Sequence, residues 1–345
     1  MGVTIKDVAK ATGVSTATVS RVINNSPLIS PKTEEKVKRA MREMNYFPSS
    51  MARGFSNQNT YNIALIVDMD NYDAFVNPFF YKIQYGIEKI ICKQGYNLII
   101  ANEKTTINRD TALNRIIREK RADGIIFPSF LLRKNIIKKM EEKQIPYVVI
   151  GEPLKKFNVN WVDINNQMAG YIATSHLIKN NYKRIAFVSG NFNDHFNTKR
   201  FNGYLKALKE NKIVYDERLL IKDIVAKKSG YDVVNNYMKM DNHPDAFIFS
   251  NNIAAFGAMM AIKENGYKIP KDIGIVSFDN FLVAELTQPE MTTVDIDVLE
   301  LGIQAGSMLV MEIDSPSTTK HNRLLSVKLI TRGSAERSTS NWHDI

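Results

Sequence analysis

The stretch that decides the fold stands at the start of the chain, where residues 4–22 read Thr-Ile-Lys-Asp-Val-Ala-Lys-Ala-Thr-Gly-Val-Ser-Thr-Ala-Thr-Val-Ser-Arg-Val. This pattern predicts two short helices joined by a tight turn. Thr4 can cap the first helix, with Asp7 three residues on as its capping-box partner. Gly13 suits the turn, because glycine takes a positive φ without a steric penalty. Ser15 can then cap the second helix.

The predicted second helix has two different stripes. Val19, Val22 and Ile23 recur at spacings of three and four and form its apolar stripe. The opposite stripe is small or polar apart from one long cation and consists of Thr16, Ala17, Ser20 and Arg21. Such a helix fits a DNA major groove, where an arginine can reach a guanine edge. An ordinary amphipathic helix pair is the alternative.

Charge and composition narrow the class of protein. Residues 1–60 hold nine basic and four acidic residues, a balance that suits contact with phosphates, although a solvated basic face has similar charge. The sequence shows no secretory signal and no apolar run long enough for a bilayer, so we expect a cytoplasmic protein without a membrane partner. The single cysteine, Cys92, excludes an internal disulfide, and we expect it to be buried.

The order of segments predicts a head, a connector and an α/β core. Ser30 and Pro31 open a third helix, which completes a helix-turn-helix head over residues 1–48. Residues 49–60 form the hinge between head and core, and residues 61–340 form the core. Apolar runs typical of buried parallel strands alternate there with helical segments in two consecutive series. The core is therefore predicted to consist of two doubly wound α/β subdomains.

Residues 3–25 resemble the N-terminal signature of the lac-repressor/galactose-repressor family of bacterial transcription regulators. The resemblance rests on Thr-Ile-Lys-Asp-Val-Ala at 4–9, Gly-Val-Ser at 13–15 and Thr-Val-Ser-Arg-Val at 18–22. It implies a homodimer on a pseudo-palindromic operator and a core of the periplasmic-binding-protein type. It also implies discontinuous subdomains, at about 61–161 with 292–323 and about 162–291 with 324–340. The DNA contacts would come from Thr4, Ser15, Thr16, Ala17, Ser20, Arg21, Asn24, Arg53 and Phe55.

The hinge departs from the family at two positions. The resemblance implies that residues 50–56 become helical on the operator, with an apolar side chain wedged into a base step of the minor groove. Phe55 stands where the family usually has leucine. Gly54 is the second departure, because glycine costs about 1 kcal/mol in a helix interior relative to alanine. A plain linker is the alternative.

A ligand cleft is predicted beyond the carboxyl ends of the strands, where open α/β sheets bind ligands. The family resemblance places the effector contacts at Asn77, Phe79, Phe80, Arg200, Asn251 and Asp279, and Trp161 is added as an aromatic platform. Arginine and carboxylate pair with hydroxyl groups, and aromatic rings cover the apolar faces of a sugar. Core packing is the alternative for Trp161 and Phe79, and a structural ion pair for Arg200 and Asp279.

The nature of the ligand is predicted from two further segments. Ile-Gly-Glu-Pro at 150–153 and Trp-Val-Asp-Ile-Asn-Asn at 161–166 look most like the maltose-operon repressor branch. A maltose-type saccharide is therefore the first candidate effector, ahead of a purine or a sugar phosphate. The chain lacks a dinucleotide-binding glycine loop and a convincing Ser-His-Asp order, so we expect no enzyme, no cofactor and no metal site. A sugar-binding receptor without a DNA role is the competing hypothesis.

Overall fold

The computed structural model describes residues 3–23, 26–46, 59–68, 78–107, 109–155, 157–192 and 194–337. They form a three-helix head and two α/β subdomains, each built around a six-stranded sheet, so the predicted fold class is confirmed. Several predicted positions lie outside the described residues: Asn24, Arg53, Gly54, Phe55 and Asn77. The limits proposed for the head and the hinge stay predictions for the same reason.

The head consists of α1 (Ile5–Thr12), α2 (Thr16–Ile23) and α3 (Pro31–Glu43). Its helix ends follow the local signals of the sequence. The backbone N–H of Thr4 donates to Asp7 Oδ2 at 2.8 Å, and Ser15 Oγ accepts from the N–H of Thr18 at 3.1 Å. Gly13 has φ +66°, the left-handed conformation expected of the turn. Local capping therefore determines where these helices begin and end.

A small apolar core holds the three helices together. Val8 and Ala9 of α1, Val19 and Val22 of α2 and Val37 of α3 are buried against one another. Full burial of a valine side chain contributes about 1.5–3 kcal/mol, so this cluster stabilises the packing of the three helices. The polar stripe of α2 is left on the outside of the head.

The first series of the core contains β1 (Asn62–Val67), α4 (Pro78–Ile91), β2 (Asn97–Asn102), α5 (Ala112–Glu119), β3 (Gly124–Pro128), α6 (Lys134–Glu142), β4 (Tyr147–Ile150) and β5 (Trp161–Ile164). The second contains α7 (Asn166–Lys179), β6 (Ile185–Val188), α8 (His195–Glu210), β7 (Leu220–Ile221), α9 (Lys227–Tyr237), β8 (Ala246–Phe249), α10 (Asn252–Glu264), β9 (Gly274–Phe278), α11 (Leu282–Leu286) and β10 (Thr292–Asp295). Then come α12 (Val298–Asp314), β11 (Asn322–Leu325) and β12 (Lys328–Ile330).

The first sheet has the strand order β11-β5-β4-β3-β1-β2, and all its pairings are parallel. Successive side chains of a strand point to opposite faces. Ile63 and Leu65 of β1 accordingly share a core with Ile87 of α4 and Leu309 of α12, whereas Ile66 packs with α5 and α6 on the other face. Helices on both faces explain why β1 is an uninterrupted apolar run.

The second sheet has the order β12-β10-β9-β8-β6-β7, and only β12 pairs antiparallel, with β10. Phe187 of β6 packs in one cluster with Phe201 and Tyr204 of α8 and with residues of α7. Phe247 and Phe249 of β8 lie in the cluster of the other face, with α9 and α10. Both subdomains are thus doubly wound.

The structure corrects the predicted subdomain limits. Trp161–Ile164 pairs with β4 in the first sheet, and Thr292–Asp295 pairs with β9 in the second. The chain therefore crosses between subdomains after Ile164 and after Asp295, a few residues later than predicted. The end of the core contains two strands, β11 in the first sheet and β12 in the second, so the last crossing also falls later than predicted, after Leu325. The choice of partner strand depends on long-range packing, which an apolar run does not encode.

Cys92 was expected to be buried, but it is exposed. It follows the last buried residue of α4, Ile91, and begins a short 3₁₀ helix, Cys92–Gln94. The expectation was wrong because a lone cysteine carries no local signal that places it on the buried face of a helix. The conclusion that an internal disulfide is excluded is unaffected, because the chain has one cysteine.

Candidate functional site

The candidate DNA surface is the outer stripe of α2. Ser15, Thr16, Ala17 and Arg21 are exposed there, and Ser20 is half-buried. The guanidinium of Arg21 makes no hydrogen bond or ion pair with the part of the chain that the structure describes. An unpaired guanidinium on a helix with a small, polar face is free to reach a base edge or a phosphate.

Thr4 is exposed at the start of α1, but its hydroxyl already has a partner. Its Oγ1 donates to Asp7 Oδ2 at 2.7 Å, next to the backbone bond that caps the helix. Both bonds to Thr4 lower the pKa of the Asp7 carboxyl. The two Thr4–Asp7 hydrogen bonds thus fix the N-terminal turn of α1. A phosphate contact by Thr4 stays a prediction.

The candidate ligand cleft lies where the carboxyl ends of the two sheets meet. Asp279 directly follows β9, Asn251 and Asn252 follow β8, and Asn165 and Asn166 follow β5 at the first crossing. An ion pair spans the two subdomains at this level, with Lys199 Nζ of α8 lying 3.1 Å from Glu152 Oε2 after β4. Because the crossings occur at the strand ends, polar residues of both subdomains are brought together here.

Two glycines position the central arginine of the cleft. A Cβ atom at Gly203 of α8 would lie 2.0 Å from the carbonyl oxygen of Gln167 in α7. A Cβ atom at Gly170 of α7 would lie 1.8 Å from the carbonyl oxygen of Arg200. The backbones of α7 and α8 are therefore in direct contact, which no residue with a side chain permits. This contact brings Arg200 within reach of Asn166 at the start of α7.

Arg200 is only 4% exposed, yet its guanidinium has several partners. Its Nε donates to Asn166 Oδ1 at 3.0 Å, and Nη1 donates to the carbonyl oxygen of Ser250 at 3.4 Å. The guanidinium carbon lies 4.2 Å from the ring centre of Phe278. Burial lowers the pKa of Arg200, and the nearby carboxylates of Asp279 and Asp163 oppose that shift.

Asp279 is the second buried charge of the cleft. Burial raises the pKa of its carboxyl to about 6, against the opposing influence of Arg200. Its Oδ1 has no hydrogen-bond partner among the described residues. Asp279 and Arg200 influence each other electrostatically but make no direct ion pair. Since an unsatisfied buried carboxylate oxygen costs free energy, this atom is poised to accept a hydrogen bond from a ligand.

Sequence reasoning missed three polar residues that surround these charges. Asp163 accepts from the backbone N–H groups of Glu152 and Ile164 at 2.8 and 2.7 Å, and burial raises its pKa. Asn166 orients Arg200, as described above. Asn197 precedes Arg200 by three residues on α8 and has a buried, unpartnered Oδ1. Residues three apart on a helix lie on the same face, so Asn197 could have been predicted from its spacing to Arg200.

The residue after Asn251 was noted only as a departure from the family, but it shapes the cleft. Nδ2 of Asn252 donates to the carbonyl oxygens of Phe278 and Asp279 at 3.1 and 2.9 Å. It thereby fixes the end of β9, where Asp279 has φ +73°. Oδ1 of Asn252 is buried without a described partner. Asn252 thus holds the backbone that presents Asp279.

The side chain of Asn251 has structural partners. Its Oδ1 accepts from the N–H of Ala254 at 2.8 Å and caps α10, and its Nδ2 donates to the carbonyl oxygen of Val225 at 3.2 Å. Asn251 therefore fixes a helix start and the loop that carries Val225, whose side chain is exposed. A direct ligand contact from Asn251 stays a prediction.

The predicted aromatic residues are not gathered around Arg200. Trp161 begins β5, so it stands at the amino end of a strand whose carboxyl end faces the cleft, and it packs against a hydrophobic core cluster. We therefore assign Trp161 to packing. Phe79 and Phe80 lie in the first turn of α4, partly buried against the core of the first subdomain. Their position beside the cleft is compatible with both packing and ligand contact.

Neither a membrane span nor a metal site is evident in the described residues. No helix among them is long and apolar enough to cross a bilayer. No group of three or more His, Cys, Asp or Glu side chains in the same ranges could hold a metal ion.

A helix-turn-helix head joined to a two-subdomain core with buried polar residues at the sheet ends defines a ligand-binding, DNA-binding protein. Comparison with known proteins agrees with this class. Residues 4–49 match the model of bacterial regulatory proteins of the lacI family, and residues 174–335 match the periplasmic binding protein-like domain.

Full-length relatives establish the family. The HTH-type transcriptional regulator MalR of Streptococcus pneumoniae is 33% identical over 96% of this chain and 100% of its own length. The HTH-type transcriptional repressor PurR of Histophilus somni is 31% identical over 90% of this chain and 92% of its own. The structure of a transcriptional regulator CelR–cellobiose complex has a TM-score of 0.72 at 29% identity, covering 96% and 99% of the two chains. The chain belongs to the lacI family of bacterial regulatory proteins.

Family membership confirms several predictions. The chain is a DNA-binding transcriptional regulator of a family of ligand-responsive repressors, and it is not an enzyme. Because such a regulator acts on bacterial DNA, the predicted cytoplasmic localisation also follows from the family. The hypothesis of a sugar receptor without a DNA role is thereby wrong.

Proposed function

We propose that this protein is a homodimeric repressor of sugar-utilisation genes whose operator affinity is controlled by a neutral saccharide of the maltose type. The saccharide binds in the cleft around Arg200 and Asp279. The observation that carries the proposal is the buried, unpartnered carboxylate oxygen of Asp279 close to the buried guanidinium of Arg200. A ligand with adjacent hydroxyl groups can donate to the first and accept from the second.

The charges in the cleft favour a neutral ligand over a sugar phosphate. Arg200 lies under the influence of two carboxylates, Asp279 and Asp163, and the nearby Lys199 is paired with Glu152. A phosphate would therefore meet at least as much negative as positive charge in a desolvated site. Unpartnered oxygen atoms of Asn197 and Asn252 add acceptors rather than donors. Sugar hydroxyls supply the donors that such acceptors need.

The maltose class rests on similarity in sequence. Residues 150–153 and 161–166 resemble the maltose-operon repressor branch. The backbone N–H of Glu152 in the first segment donates to Asp163 in the second, and the carboxylate of Asp163 influences the pKa of Arg200, which supports a role of both segments in the proposed site. The relative MalR is 33% identical, while PurR repressors at about the same level keep a purine effector as the competing candidate. The CelR complex contains cellobiose, which supports a disaccharide-sized ligand for this core.

Dimerisation is supported by an apolar surface on the second subdomain. Ile253 of α10 and Leu282 and Leu286 of α11 are exposed, the last two at 68% and 71%. Adjacent exposed apolar side chains favour contact with another protein surface. A two-fold dimer presents two α2 helices to the two halves of a pseudo-palindromic operator.

Regulation follows from the position of the cleft. A ligand between the subdomains contacts both, so it favours the arrangement in which those contacts are simultaneous. It can shift the operator-binding equilibrium only by its differential affinity for the two arrangements. The Lys199–Glu152 ion pair joins the subdomains at the same level and contributes to this balance.

Calorimetry with maltose tests the ligand site directly. Asp279→Asn should weaken maltose binding by about 1.5–3 kcal/mol, because a hydrogen bond to a charged acceptor is lost. Asp232→Asn, an exposed change on α9, is the matched control and should bind maltose like the parent. Operator affinity of both variants, measured by gel shift with the region upstream of the gene at fixed salt, should stay near the parent value. A purine base that releases the operator where maltose does not would contradict the saccharide assignment.

A further inference from the structure

A second concave region lies beside the cleft and is not used by the proposed effector contacts. It is a cavity of about 490 Å³ between α4, the turn after β9 and the crossing after β10. Its walls include Tyr81, Lys82 and Tyr85 of the first subdomain, Asn280 of the second, and Asp295 and Asp297 at the crossing. The cavity is therefore lined by both subdomains and by the segment that joins them.

The lining has the chemistry of a sugar subsite. The side chain of Tyr85 is 60% exposed and that of Tyr81 is 45% exposed, and both rings border the cavity. Asp295 Oδ1 accepts from the N–H of Asp297, and Asp297 Oδ1 accepts from the N–H of Glu300, both at 3.1 Å. The second oxygen of each carboxylate has no hydrogen-bond partner among the described residues and can accept from a ligand hydroxyl. Tyrosine rings supply apolar faces for the C–H groups of a pyranose.

The charge of the cavity argues against an anionic occupant. Among the described lining residues the only cation is Lys82, against the two carboxylates Asp295 and Asp297, and its Nζ lies over the ring of Phe281, 4.9 Å from the ring centre. A phosphate or carboxylate ligand would again meet more negative than positive charge. A neutral, hydroxyl-rich ligand matches both the carboxylate acceptors and the ammonium donor.

The cavity adjoins the proposed effector site. Asn280 follows Asp279 in the chain, so their Cα atoms are about 3.8 Å apart. Lys82 and Asp295 both influence the pKa of the Asp279 carboxyl, which places these two wall residues close to the cleft as well. The cavity and the proposed effector site are therefore neighbours in the structure.

We propose that this cavity is an accessory subsite that takes a further sugar unit of an oligosaccharide bound in the cleft. The proposal rests on the proposed function and makes it more specific, since the effector class becomes maltotriose and longer maltodextrins rather than maltose alone. Because the walls belong to both subdomains, an occupied subsite also favours one arrangement of the two. The number of sugar units in the ligand and the size of its regulatory effect are thereby linked.

Calorimetry of the full-length chain with maltose and with maltotriose tests the subsite. The parent should bind maltotriose about tenfold more tightly than maltose, the gain expected from one well-stacked ring. Tyr85→Ala should abolish that difference and leave maltose affinity unchanged, whereas Tyr85→Phe keeps the ring and should preserve it. Glu88→Ala, an exposed change one turn further along α4, is the control and should behave like the parent.

Each other outcome contradicts the proposal in a recognisable way. Equal affinities of the parent for the two sugars, or equal losses for both sugars in Tyr85→Ala, overturn the subsite and leave the proposed function intact. No heat from either sugar with the parent overturns the proposed function and the subsite with it. A Tyr85→Ala protein that dissociates to monomers in sedimentation, with its sugar preference intact, would assign the cavity to an interface between copies of the chain.

Discussion

Arg21 in the head and Arg200 in the core are the same side chain in opposite settings. The guanidinium of Arg21 is exposed and makes no hydrogen bond or ion pair with the described residues, whereas Arg200 is 4% exposed and its guanidinium contacts Asn166, Ser250 and Phe278. The head can offer a solvated cation because DNA brings the opposite charge in high density. The core must desolvate its cation to discriminate among small neutral ligands.

The two arginines are also positioned differently. The position of Arg21 is determined by helix α2, and the start of that helix is fixed by Ser15, only six residues earlier. Arg200 depends on the backbone contact of α7 with α8 at Gly170 and Gly203. Changes near Arg21 should therefore affect DNA binding alone, and changes near Arg200 should affect both folding stability and ligand binding. Three measurements, ordered by the size of the expected effect, test this difference.

Gly203→Ala should give the largest effect, lowering the free energy of unfolding by about 3 kcal/mol, the upper end of the usual cost of overpacking. The added Cβ would lie 2.0 Å from a backbone oxygen, so α7 and α8 must separate and Arg200 must move. Urea unfolding gives the stability, and calorimetry should show weaker maltose binding. Asn202→Ala, the exposed neighbour on α8, should change stability by less than about 0.5 kcal/mol. Parent-like stability of Gly203→Ala would show that this helix contact is not rigid.

The buried carboxyl of Asp279 should make stability depend on pH. Its pKa is raised to about 6 in the folded chain, so the folded state binds the proton more tightly than the unfolded state does. Its contribution to stability is therefore greatest below the unfolded pKa and is lost as pH rises from about 4 to 6, by roughly 2–3 kcal/mol. Urea unfolding of the parent and Asp279→Asn across this range isolates the effect as a difference. If the free energies of unfolding of the parent and of Asp279→Asn change in the same way with pH, burial does not raise the pKa of Asp279.

Arg21→Ala should have the smallest and most selective effect. We expect specific operator affinity to fall by about 1–3 kcal/mol, with non-specific DNA binding and folding stability nearly unchanged. Gel shifts with operator and with random DNA at the same salt concentration give both affinities. Equal losses on the two DNAs would reduce Arg21 to a phosphate contact.

The head was predictable because its determinants are local. The caps at Thr4 and Ser15, the turn at Gly13 and the proline at the start of α3 each act within three or four residues. Their spacing is visible in the sequence, and the structure confirms it. The sequence also carried the strand and helix alternation of the core, because apolar period and turn residues are local signals too.

The cleft needed the tertiary structure. Resemblance to the family gave Arg200 and Asp279, but not that they are buried without a direct ion pair, nor that Asn251 caps a helix and Trp161 packs in a core. The crossing points were misplaced because strand pairing joins residues far apart in the chain. By itself the sequence determined the head, the fold class and the types of residue at the strand ends. Only the folded chain, through helix contact and desolvation, decided which of these became a site.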